Sequence, residues 1–549
     1  MSKKVVLDYE NINRRGWMAA IVVILFIAGI LQWRYINEFP QYIHAWAQAD
    51  WYSLAIGYVD NGLDFFHPQT MLYNKQDTGL WDSPITSVDF PIHEYVVALL
   101  MKLLGTTSPW VFRLWTLVIG MVGMFFLYKL TYLFTDDCIK SLAVVGVAMT
   151  APAYAYYFSG FLPAIPSVTF SIIGLWAYFS YVKKKKNAMF HIGLASLTLA
   201  AMIRTPQLVL LVAVCGFEAL RIFRGETGWR DKVLTMALLV CCFVGFHLWN
   251  RHLQSTYGSM FLGSLMPARN LEEAREVYQN IHDRWMFHYF QRVQHWLVLM
   301  AALAAIGWAL VQGVQRRRGS ISDADSRTAA LSHWWFWGIY LLGTLLYIGA
   351  MLRQYSDHDY YFIDSLFLPI VVLLILALAE LPRIGSVKWG AVFGFLLVML
   401  LAVMGQEARQ MQQLRRDAND GSRRCYEHFI GADQLLDQAG VSRDAKVVAL
   451  FVYPKSSAFI QMRRRGYIVL DTKEELVRKA LSTDHDLIVI ENDVLRQEFN
   501  AHGYALKYLR PLTANENIMA CTLSDTLIAD TAEELIALAQ QSGRHFSSR

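Results

Sequence analysis

The sequence predicts an α-helical polytopic membrane protein, with about eleven transmembrane helices and a small C-terminal α/β domain. Three observations carry that expectation. Hydrophobic residues make up 55% of the 549 positions and charged residues only 17%, too apolar a balance for a soluble chain of this size. The apolar residues gather into runs near the length of about 20 that crosses a hydrocarbon core of about 30 Å. After residue 405 the pattern changes to short β-rich runs, AKVVALFVY and HDLIVIE, alternating with helical segments such as KEELVRKALS.

The expected spans are 17–33, 109–134, 141–158, 164–182, 189–203, 206–223, 233–249, 294–313, 333–352, 362–380 and 388–405. The first follows Lys3, Lys4, Arg14 and Arg15 and ends in QWRYINEF. It has no small-residue cleavage site, so it is read as an uncleaved helix. Between it and the second span lies a polar, aromatic loop, 34–108, with Asp50, Asp60, Asp64, His67, Asp77, Asp82, Asp89, His93 and Glu94. Its segment PIHEYVVALLMKLL is short and carries ionisable groups, which suits an interfacial amphipathic helix. The stretch 189–223 decides the topology. One helix there would be about 50 Å long, so the break is assigned to Arg204, Thr205 and Pro206, with Pro206 biasing Thr205 away from helical geometry.

With that break, the basic groups Lys183 to Lys186, Arg221 with Arg224, Arg230 and Lys232, Arg316 to Arg318, and Arg383 with Lys388 share the cytoplasmic side. The division is then a membrane domain, 1–405, and a soluble tail, 406–549, expected outside. Arg409, Arg415, Arg416, Arg423 and Arg424 oppose that placement. In the tail, TAEELIALAQQ reads as an amphipathic helix and Arg463 to Arg465 as a solvated turn. Cys425 and Cys521 are its only cysteines, and an oxidising compartment would permit a bond between them.

Composition and motifs exclude several classes. The formal charge of +5 comes in bursts between spans, a sign of membrane orientation and not of nucleic-acid binding. No Gly-rich phosphate loop and no CxxC spacing occurs, so no nucleotide or zinc site is expected. No cofactor is called for. A divalent ion at Asp357, His358 and Asp359 is the weaker alternative, since ligands so close in sequence match no known spacing.

Ionisable groups at a membrane face are functional candidates because lipid makes them costly. Arg113, in SPWVFRLW, and Arg204 each fall at a helix end on the side of the 34–108 loop. A lone arginine there more often snorkels to headgroups; two on one side favour a phosphate, which a guanidinium fork binds well. Asp50, between Trp46 and Trp51, would be ionised at neutral pH and able to accept a proton, although a loop aspartate is more often merely solvated. Asp89 and Glu94 are either second carboxylates or the polar start of the interfacial helix. Arg353, His358, Tyr360 and Tyr361, in RQYSDHDYYFID, suit hydroxyl or phosphate recognition, or an interfacial tyrosine belt. His67 is a further substrate-binding candidate.

The ordered series QADWYSLAIGYVDNGLDFFHPQ, DFPIHEYVVALLMKLLG, WVFRLWTLVIG, IRTPQ and DHDYYFI resembles the C-type (GT-C) membrane glycosyltransferases, in particular the protein O-mannosyltransferase and lipid A aminoarabinose transferase families. The similarity covers most of 15–405. In that family a first-loop aspartate contacts the acceptor and serves as base, and Asp50 matches it, with Trp51 where the family has glutamate. Arg113 and Arg204 match the basic residues that bind the donor's lipid phosphate. The resemblance implies an inner-membrane enzyme, bacterial, with its site on the periplasmic face. It would move a sugar from a polyprenyl-phosphate donor to an acceptor hydroxyl on a glycan, lipid or protein, with inversion. The rival reading is a transporter or flippase for a lipid-linked or anionic solute. Transporters place charges near the midplane and often carry inverted repeats; here the candidates gather at one side and no repeat is seen.

Overall fold

The computed structural model describes residues 15–75, 83–261, 263–317, 334–384, 386–417 and 421–546. Asp77 and Asp82 of the acidic loop, the N-terminal Lys3, Lys4 and Arg14, and Arg318 lie outside them. The chain is an integral membrane protein. Among the described residues eight helices are long and apolar enough to cross a membrane, from Gly16–Tyr35 to Val387–Asp417, and three shorter apolar helices, Cys138–Thr150, Asn187–Ile203 and Trp335–Ala350, bring the set to eleven.

The chain folds as two compact units. The first comprises 1–36, 113–247 and 264–414, and in it two expected spans are modified by proline. The span expected over 141–158 is a helix only to Thr150: Ala151 is extended, and a separate short helix, Pro152–Tyr157, follows. Pro152 offers no N–H to the preceding turn and disfavours helical geometry at Ala151. The break falls at the assigned residues, with helix Asn187–Ile203 ending before Arg204, although it is Arg204 and not Thr205 that leaves helical geometry. Arg204 is extended, and Thr205–Gln207 forms a 3-10 turn before the helix Leu208–Phe223. At the other end of that helix, buried Glu218 accepts from Tyr178 and Tyr181 and pairs with Arg221 (2.8 Å) and Lys232 (3.0 Å). Two members of the basic group that signals orientation are therefore already neutralised inside the protein.

The second unit joins 37–112 and 248–263 to 415–549. The segment read as a polar loop contains a 16-residue helix, Ala45–Asp60, buried along nearly its whole length. The segment expected to be interfacial is the helix Ile92–Leu104, ended by Gly105 in the left-handed conformation. The tail is a five-stranded sheet: β1 (Lys446–Leu450), β2 (Arg465–Val469), β3 (Leu487–Glu491), β4 (Leu509–Ala514) and β5 (Ile518–Leu523), in the order β2-β1-β3-β5-β4. β1 pairs parallel with β2 and β3, and β5 pairs antiparallel with β3 and β4. Helices Lys455–Met462 and Glu474–Leu481 make the crossovers between the parallel strands, and Ala532–Phe546 packs Leu535, Ile536 and Ala539 into the sheet core.

β2 would be an open edge, but the first loop covers it. Tyr73 N–H donates to Gly466 O (2.9 Å) and Gly466 N–H to Met71 O (3.2 Å). The Asn74 side chain donates to Ile468 O (3.0 Å) and accepts from its N–H (2.8 Å). The loop thus forms an isolated parallel bridge, Leu72 opposite Gly466, and with the Asn74 side chain satisfies part of the edge.

Two expectations about the tail are corrected. Arg464 is not solvated: it is buried, donating to Ser442 O, Met462 O, Val441 O and the Asp437 carboxylate. Cys425 and Cys521 are buried free thiols. Cys521 faces the sheet core from β5, and its thiol donates to Ile488 O (3.6 Å), whereas Cys425 sits on the separate helix Ser422–His428.

Candidate functional site

In the second unit the leading residue is Asp50. It lies in the first half of helix Ala45–Asp60, which packs against both Ile92–Leu104 and Lys455–Met462. Its residue is 4% exposed, which removes the reading of a solvated loop carboxylate. Its Oδ1 accepts a 2.6 Å hydrogen bond from the Ser456 hydroxyl of the tail. Burial pushes its pKa up to about 6, held from rising further by the positive charge of Lys455 and the Ser456 hydrogen bond. Trp51, the departure from the family pattern, is buried against Phe261 with ring centroids 4.6 Å apart. A cavity of about 230 Å³ is lined among others by Asn74, Lys75, Met260, Lys455 and Asp471, with Asp50 itself not on its wall.

The other candidates in this unit are less central. Asp89 is half-buried just before helix Ile92–Leu104. His67 is exposed and bonds Asp64 at 2.7 Å, while Asn61 donates to His67 O, so it closes a turn after the Asp50 helix.

In the first unit the structure gathers most of the proposed donor-side residues. Arg204 Nε and Nη2 both donate to Asp364 Oδ2, at 3.0 and 2.5 Å, and Gln207 donates to Asp364 O. Its guanidinium lies 6.0 Å from the ring centre of Tyr361, which stacks on Tyr360 at 5.2 Å. The His358 ring contacts both tyrosines, with Nδ1 3.1 Å from Gln354 O. Tyr157 meets Tyr360 edge-on and donates to the buried Asp359 (2.8 Å).

Arg113 is buried at the start of helix Pro109–Thr135. It donates to Ser159 O (3.1 Å) and lies 4.7 Å over Phe161. The turn after Pro152–Tyr157 thus links the surroundings of both arginines. Arg353 is set apart, paired with Glu273 at 3.0 Å. Among the described residues no group of three histidine, cysteine or acidic side chains could hold a metal. Of the DHD residues, Asp359 is instead engaged by Tyr157.

Sequence reasoning missed four participants: Asp364, Tyr157, Lys455 and Ser456. Asp364 had a signal, an acid at the mouth of the apolar run LFLPIVVLLILAL, where a charge requires a partner. Ser456 had none.

Comparison with known structures decides the fold. The crystal structure of ArnT from Cupriavidus metallidurans bound to undecaprenyl phosphate superposes with a TM-score of 0.51 at 13% identity, covering 94% of this chain and 99% of that one. The fold is that of a GT-C membrane glycosyltransferase. The arabinofuranosyltransferase AftD from Mycobacteria gives the same TM-score and identity over 93% of this chain and 40% of its own. A family model described as dolichyl-phosphate-mannose-protein mannosyltransferase matches residues 82–250. That segment contains Asp89, Arg113 and Arg204 and begins after Asp50. No curated protein matches the chain in sequence. Within the GT-C fold, the resemblance read from the sequence motifs is therefore upheld.

Proposed function

We propose that the chain is a glycosyltransferase that moves a sugar from a polyprenyl-phosphate donor to an acceptor hydroxyl on the extracytoplasmic face. The observation that carries the reading is a buried, hydrogen-bonded carboxylate, Asp50, in the first long loop of a GT-C fold. The undecaprenyl phosphate bound to ArnT supports a donor of that class here. Asp50 takes the proton of the acceptor hydroxyl as its oxygen attacks the anomeric carbon. The bond from that carbon to the phosphate oxygen breaks, and the electron pair leaves with the phosphate. Arg113 and Arg204, with Tyr361 beside Arg204, stabilise the charge that accumulates there. His358 and Tyr360 shape the same surroundings. Phosphate is a good leaving group, so a single inverting displacement needs no general acid.

The test is Asp50→Asn, which keeps the shape and removes the base. In envelope vesicles from cells that carry the protein, with their own lipid-linked sugars, polyprenyl phosphate released per enzyme should fall by about 100-fold or more. Near wild-type release by a normally expressed variant removes Asp50 as base and moves the assignment to Asp89.

A further inference from the structure

The Asp50 carboxylate is held from a residue 406 positions away in sequence, on a different part of the second unit. We propose that Ser456, with Lys455 beside it, is a positioning residue for Asp50, so that the C-terminal domain is part of the catalytic apparatus. The proposal rests on the reading of Asp50 as base.

The geometry is specific. A carboxylate only accepts, so the Ser456 hydroxyl must donate, and at 2.6 Å between buried groups the bond is a short, charge-assisted one. Ser456 is in the first turn of helix Lys455–Met462, where a negative charge is favoured. That helix is anchored by the sheet behind it: its chain returns directly into β2, whose edge the first loop covers. Helix Ala45–Asp60 is held in turn by packing on both Ile92–Leu104 and Lys455–Met462. Oδ1 is therefore occupied, and Oδ2 makes no hydrogen bond among the described residues. One oxygen orients the group while the other remains for the acceptor's proton.

The charge state points the same way. Charged or titratable groups on the helices packed against the Asp50 helix are His93, Glu94, Tyr95 and Lys102 on Ile92–Leu104 and Lys455 on Lys455–Met462. Of these, Lys455 is the one whose charge acts on Asp50, and it opposes the effect of burial. Without Ser456 and Lys455 the carboxyl would hold its proton at higher pH and fail as a base near neutrality.

The experiment compares pH profiles of the full-length protein in the same vesicles, reading polyprenyl phosphate release, with thermal stability measured in parallel. The acid limb of the wild type is expected near pH 6. Ser456→Ala should lose about 10-fold at neutral pH, with the limb moved roughly one unit to alkaline pH and activity recovering above it. Ser456→Thr, which keeps the hydroxyl, should restore the profile. Lys455→Met should shift the limb in the same direction, and Lys455→Arg should not. If Asp50→Asn is inactive but Ser456→Ala keeps the wild-type limb and rate, the positioning role is wrong and the base assignment survives. Faster transfer by Ser456→Ala would make the contact a restraint and overturn the proposal. So would a loss at every pH that accompanies unfolding and is not rescued by threonine. Wild-type transfer by Asp50→Asn overturns both readings.

Discussion

Arg204 and Asp364 form a pair in which the carboxylate is fully enclosed and the guanidinium nearly so. Taking two charges out of water is costly, and removing one partner leaves the other uncompensated, typically a loss of about 3–5 kcal/mol. Arg204→Ala should therefore lower the unfolding temperature in detergent as well as transfer. Adding Asp364→Ala should recover part of the stability but not the activity, because the enclosed charge is gone while the phosphate ligand is still missing. An unchanged unfolding temperature for Arg204→Ala would mean that the pair does not brace the turn at 204–207. Arg113 donates to Ser159 O and lies over the Phe161 face. Arg113→Met should weaken donor use, which the release assay with a thermal melt beside it would check. The two arginines were legible in the sequence because each is a cation at the edge of an apolar run. Asp364 was legible in principle by the same rule. Ser456 was not, since no local pattern marks a serine whose partner is hundreds of residues away.

Elements declared themselves according to how much of their character is local. The eleven apolar runs needed only composition, and β1 and β3 stood out as continuous apolar stretches buried on both faces. β2 opens with arginine and lies inside a basic turn signal, and β4 carries Pro511 at a register shift, so neither announces a strand. Helix Ala45–Asp60 lies in a loop rich in ionisable groups yet is buried, because other helices cover it on more than one side. Gly57 marks one such contact: a Cβ there would run into the carbonyl of Gln69. Gly57→Val should force the returning loop away, lowering both expression and stability, and a wild-type melt would show that the loop can yield. The bridge that the loop makes to β2 gives a second prediction at this scale. Asn74→Ala removes both hydrogen bonds to Ile468, each worth about 1 kcal/mol. Faster hydrogen exchange at Ile468 should follow, with the remote strand β5 unchanged; protection equal to wild type would mean that the backbone pairing alone holds the edge.

At the scale of the whole molecule the arrangement of sides follows from the second unit. Its members 37–112 and 415–549 are joined by the Asn74 and Tyr73 bonds, by Ser456 on Asp50, and by Arg416 on Glu38 at 3.0 Å. They must therefore lie on one side of the membrane. The basic cluster that argued against an external tail also has a local explanation. The last helix runs on past its apolar part to Asp417, and Arg416, Arg423 and Arg424 pair with Glu38, Glu427 and Glu491. A cation already matched by an acid exerts less pull toward the cytoplasm than its count implies, and the rule is a bias in loop charge, not a barrier. We expect Asp60→Cys in the loop and Asp444→Cys in the tail, each in an otherwise cysteine-free protein, to react with a membrane-impermeant maleimide on intact cells. Lys186→Cys, after the helix Ala164–Lys184, should react only once the membrane is opened. Opposite labelling of Asp60→Cys and Asp444→Cys would break the second unit apart and, with it, the contact between Ser456 and Asp50.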